Sequence, residues 1–257
     1  MKNKNFKGMI VSSVSGLLLV AAGSTSAVEF DVGDTAVKLS GYAKLDLIYD
    51  VDSDLGNLIT HRNIRLDKQN GPDGHSRMQA IQSRLRVSTL TPTTASGPVK
   101  TVIEGDFFGN GGGDLRLRHA YGVWNGILAG QTTTNFTSFL GFTPTIDFLG
   151  PLGEGNLSRQ AQLRYTAGDF SVALEDPGSL GGASTILAAQ SPEPIIPNAS
   201  SQNNIPDLTL RYESSAGSIA YATSAVVRQL GVYDADTDSE EKAFGYGVSL
   251  AACRTCT

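Results

Sequence analysis

Apolar and polar residues alternate along most of this chain with a period of two, and the connections between the alternating segments tend to be long and short in turn. Period two is the signature of strands whose two faces meet different environments. The clearest segment is 37–49. Val37, Leu39, Gly41, Ala43, Leu45, Leu47 and Tyr49 lie on one face, and Lys38, Ser40, Tyr42, Lys44, Asp46 and Asp50 on the other, with Ile48 the exception. Thirteen residues exceed the usual strand of a soluble protein and suit a tilted strand that crosses a bilayer.

Further alternating segments are 81–89, 99–107 and 115–123, with shorter ones at 127–131, 159–166, 170–175, 208–213, 219–228 and 243–250. Segment 115–123 sets Leu115, Leu117, Tyr121 and Val123 against Arg116 and Arg118. About ten strands are expected. The long connections are 51–78, 132–157, 176–207 and 229–242. The short ones are 90–98, Asn125-Gly126, Gly168-Asp169 and 214–217, and 109–114 is short where a long one is expected. Asn-Gly is the preferred two-residue hairpin turn because both positions need positive φ. A soluble sandwich has no reason to collect its long loops at one end. A transmembrane barrel has one, with short periplasmic turns and long outer loops. The expected fold is therefore all-β, an antiparallel transmembrane β-barrel like a porin.

The N-terminus agrees with export. Lys2, Lys4 and Lys7 precede an apolar stretch from Met9 to Ala22, and small residues lead to Ala27, so 1–27 reads as a signal peptide. Its apolar run is shorter than the roughly 20 residues of a membrane anchor. Removing three of the 20 basic residues and none of the 25 acidic ones leaves 17 − 25 = −8, which argues against a nucleic-acid partner. The barrel is assigned to 28–250. Cys253 and Cys256 fall in an atypical tail, 251–257, that breaks the pattern of the preceding strand.

Several motifs resemble one family. The stretches 40–46 (SGYAKLD), 83–92 (SRLRVSTLTP), 104–109 (EGDFFG), 115–130 (LRLRHAYGVWNGILAG) and 147–165 (DFLGPLGEGNLSRQAQLRY) are similar to those of the DcaP-like outer-membrane porins. The resemblance implies a homotrimer of 16-stranded barrels in the outer membrane, among lipid and lipopolysaccharide, with a preference for small anionic solutes such as dicarboxylates. Ten strands of sixteen, and an end in Cys-Arg-Thr-Cys-Thr, lead to the expectation of a truncated barrel that does not close or conduct by itself.

Pore chemistry belongs on the polar strand faces. If sequential hairpins pair, Arg84 and Arg86 lie beside Glu104 and Asp106, and these beside Arg116 and Arg118; Arg164 and Arg211 fall on polar faces of their own strands. Guanidinium groups stay charged and grip carboxylates in a forked geometry, which suits transient anion binding. The plainer reading is that the acids neutralise the arginines and brace the wall. Loop 132–157 carries Phe136, Phe139, Asp147 and Glu154 among Gly and Pro, and must bury its apolar content. It either folds inward as a constriction or touches a neighbouring subunit. Asp234, Asp236, Asp238 and Glu240 resemble a calcium loop but lack its glycine and its final glutamate. No metal, cofactor or nucleophile–base set is expected, so the chain is read as a channel protein and not an enzyme. The alternatives are a barrel enzyme or adhesin acting through its outer loops, and a soluble secreted β-protein.

Overall fold

The structure is a computed structural model that describes residues 27–57, 63–66, 71–94, 97–140, 142, 158–178 and 199–254. The signal-peptide segment, apart from Ala27, and Asp147, Glu154 and Cys256 lie outside them.

The strands are β1 (Val28–Val32), β2 (Thr35–Tyr42), β3 (Asp46–Asp50), β4 (His75–Gln79), β5 (Arg84–Thr91), β6 (Val99–Gly109), β7 (Asp114–Trp124), β8 (Ile127–Thr133), β9 (Arg159–Ala167), β10 (Phe170–Glu175), β11 (Ala199–Ser201), β12 (Asp207–Ala216), β13 (Ile219–Asp234) and β14 (Ser239–Arg254). Every pairing is antiparallel. The main sheet is a meander in the order β1-β2-β5-β6-β7-β8-β9-β10-β12-β13, with β14 and the short β11 both on β13, and β3-β4 form a separate ribbon.

All ten expected strands are present in whole or in part, and β4 and β11 stand inside the expected connections 51–78 and 176–207. Segment 37–49 is split: β2 pairs β5, the chain loses regular pairing at 43–45, and β3 resumes against β4. Segment 229–242 is not a loop. β13 and β14 stay paired to Asp234↔Ser239, and Asp238, at φ 52°, helps close a tight turn. Residues 251–254, set apart as a tail, continue β14 opposite 219–222. Main-chain pairing accepts almost any residue, so the polar tail hid a strand. Hairpin β1–β2, turning at Gly33-Asp34, was not foreseen.

Turns 33–34, 125–126, 168–169 and 217–218, with connection 92–98, all fall at one end of the sheet, because alternate connections of an antiparallel meander share an end. Asn125 (φ 48°) and Gly126 (φ 80°) form the positive-φ pair expected for a tight hairpin. The long connections lie at the other end.

Burial is inverted relative to a water-soluble protein. Leu85, Ile103, Leu117, Leu163, Val172, Leu174, Leu208, Leu210 and Val227 are exposed, while Glu104, Asp106, Arg118, Gln160, Gln162, Glu175, Asp207 and Thr209 are buried. A soluble protein rarely exposes so large a contiguous apolar surface, and a bilayer explains it directly. Near the short turns the apolar face carries Trp124, Tyr165, Phe170, Tyr212 and Tyr221; Phe170 and Tyr212 stack at 4.6 Å and Tyr212 and Tyr221 lie 6.2 Å apart. Such rings form a girdle where hydrocarbon gives way to headgroups. The soluble alternative fails on this pattern.

Candidate functional site: a charged wall and an inward loop

The polar face of β5, β6 and β7 is built by register. Arg84 lies opposite Asp106 and Arg86 opposite Glu104 across β5–β6, and Asp106 lies opposite Arg116 across β6–β7. At Glu104/Gly105 the β6–β7 register shifts, leaving Arg118 as an extra residue between Leu117 and His119. A bulge of this kind re-aims side chains and restarts the alternation. Tyr121 and Val123, expected beside Leu115 and Leu117 on the apolar face, consequently sit on the polar one, opposite Val102 and Lys100.

Four guanidiniums share two carboxylates. Arg116 holds Asp106 in a fork, Nε to Oδ1 at 2.9 Å and Nη2 to Oδ2 at 2.7 Å. Arg118 bridges both acids, donating from Nε to Glu104 Oε1 at 2.9 Å and from Nη1 to Asp106 Oδ2 at 2.9 Å. Arg86 Nη1 donates to Glu104 Oε2 at 3.3 Å, and Arg84 Nε stands 3.5 Å from Oε1. Arg84 also lies over the Tyr42 ring and Arg116 over that of Phe108, each guanidinium carbon just above 5 Å from the centroid. Exposure divides the two charge types. Glu104 is 5% and Asp106 0% exposed, whereas the side chains of Arg86 and Arg116 are 39% and 34% exposed. The acids lie beneath and two of the bases face open space.

Of the remaining expected residues, Arg164 and Arg211 are on the polar faces of β9 and β12. Arg211 is committed to the β8–β9 loop, donating from Nη1 to the Thr137 carbonyl at 3.1 Å, and its Nε lies 3.7 Å from Glu213. Arg164 makes no ion pair among the described residues.

That loop turns back over the polar face. Thr134 and Asn135 are fully buried, Ser138 nearly so, and Phe136 reaches β14, where a side chain at position 247 would meet its ring. Ser138 Oγ donates to Glu213 Oε2 at 3.2 Å, and Ser224 Oγ to the Phe136 carbonyl. Phe139 and Phe142 are in ring contact at 5.9 Å, with Phe139 exposed. Glu175, Asn135, and the pair Arg228–Asp207 (3.1 Å) were not singled out from the sequence. Glu175 could have been: it closes the polar face of 170–175 through Ser171 and Ala173.

Residues 18–252 match the model of the family described as DcaP outer membrane protein. The chain belongs to that family. Its strands therefore lie in the outer membrane, and the exposed apolar face is the one suited to lipid. In fold it is similar to the crystal structure of the outer membrane channel DcaP of Acinetobacter baumannii, with a TM-score of 0.64 at 24% identity over 86% of this chain. The match covers 60% of that channel, so the chain spans about three fifths of its length. No curated protein matches the sequence.

Proposed function

We propose that this chain forms part of the wall of an anion-preferring diffusion channel, working as a homotrimer and passing small carboxylated solutes. What supports the solute preference is the separation of charge by depth on β5–β7. Four arginines against two acids leave two positive charges in excess, and the buried acids are covered by the guanidiniums that meet the lumen. An open, partly paired arginine binds a carboxylate and lets it go again, which conduction requires. The long loops are assigned to the cell exterior and the short turns to the periplasm, following the asymmetry common to such barrels.

The test is permeability. Arg86→Gln with Arg116→Gln removes the two exposed guanidiniums and brings the excess to zero. With the two substitutions placed in a barrel completed to the full length of the family, in planar bilayers under a salt gradient, the reversal potential is expected to move toward cations at low salt. The shift should shrink at molar salt, where the Debye length is about 3 Å. A reversal potential that stays put at low salt means this wall does not face the conducting path.

A further inference from the structure

Loop 134–140 is tied to the polar face at its start through one acid. Glu175 ends β10 with its carboxylate 1% exposed. Its Oε1 accepts the Asn135 backbone N–H at 2.6 Å and the Thr209 hydroxyl at 3.0 Å, and its Oε2 accepts the Thr134 hydroxyl at 2.6 Å. Thr134 Oγ1 in turn accepts the Phe136 N–H at 3.1 Å, which turns the chain inward. Asn135 completes the seat: its side chain donates to the Ser171 carbonyl at 3.4 Å and accepts the Ser171 hydroxyl at 2.7 Å. A carboxylate so deeply buried needs donors for both oxygens, and here the loop supplies two of the three.

We propose that Glu175 is the positioning residue of this loop, a latch that holds 134–138 against β10 and β12 and thereby sets how far the loop intrudes into the lumen. The inference rests on the channel reading only in its last clause. Arg164 also feels the charge of Glu175, so a role as mere counter-charge is the competing account. Latch and counter-charge separate by substitution. Glu175→Ala removes both. Glu175→Gln removes the charge but keeps an oxygen for Asn135 and Thr209. Thr134→Val removes a loop donor and leaves the charge intact; it also removes the acceptor of the Phe136 N–H, so its effect is read on the loop amides other than that of Phe136.

The experiment is amide hydrogen exchange of the full chain in detergent, read on peptides covering 134–138, with single-channel recording of the same variants in a barrel completed to full length. Glu175→Ala is expected to speed exchange in the loop about 10- to 100-fold, the loss of a charge-assisted buried bond. Thr134→Val is expected to speed it less, and Glu175→Gln to sit between wild type and Ala. If exchange also rises throughout β10 and β12 in the Ala variant, the fold is disturbed and Thr134→Val decides: a rise confined to the loop supports the latch, no rise overturns it. Equal effects of Gln and Ala with a silent Thr134→Val would assign the residue to charge balance and overturn the proposal. Loop release with unchanged conductance would keep the latch and remove the loop from the conducting path.

Discussion

Two regions of the polar face solve the problem of buried polar groups differently. On β5–β7 the partners are charged, come from adjacent strands, and meet through strand register alone. On β10–β13 the partners are mostly backbone groups, hydroxyls and amides, and they come from a loop about 40 residues away in sequence from Glu175 and about 75 away from Glu213. The first arrangement leaves net charge at the surface, and under the proposed function it would bear on which solutes pass. The second leaves little free charge and would bear on shape. The two regions draw on different residues, so each can be perturbed separately.

The strongest perturbation is expected at Asp106. Replacing it by Asn leaves the forked Arg116 and the bridging Arg118 facing an amide that donates where it should accept. Removing one partner of a buried charge network costs about 3 kcal/mol. The midpoint of unfolding in detergent, read by circular dichroism, should fall accordingly. An unchanged midpoint would mean that these pairs are solvated and hold nothing together.

Next in size is Asn135→Ala at the seat of the loop. It removes two neutral side-chain bonds to Ser171 and should cost about 1–2 kcal/mol, with no change in the cation/anion permeability ratio. A clear change in that ratio would break the division of labour between the two regions.

The smallest effect is expected at Gly247. A methyl there would stand 3.3 Å from Val226 Cγ1, which must give way slightly, and 3.5 Å from Phe136 Cζ, an ordinary contact. The strain is partly offset by the better strand propensity of alanine. Global stability should change by less than about 1 kcal/mol, and exchange in 134–138 should hold or slow, because the methyl only adds contact to the Phe136 ring. Faster loop exchange would show that the ring is pushed off β14.

The sequence by itself determined the strands, their antiparallel order and the charged wall. Period-two alternation encodes which face each side chain takes, and sequential hairpins bring Arg84, Arg86, Glu104, Asp106, Arg116 and Arg118 together without any long-range information. Only the tertiary structure decided the rest. The bulge at Arg118 moved Tyr121 and Val123 across the sheet because one extra residue shifts everything after it, and nothing in the residue types marks that shift. Strand pairing at 229–242 and 251–254 was hidden for a related reason: backbone bonds carry a ladder whatever the side chains, so acidic and Cys/Arg residues read as loop or tail. The seat of loop 134–140 was beyond local reading altogether, since Glu175 finds Thr134 and Asn135 only when β8 and β10 are set side by side around β9 and the loop turns back across them.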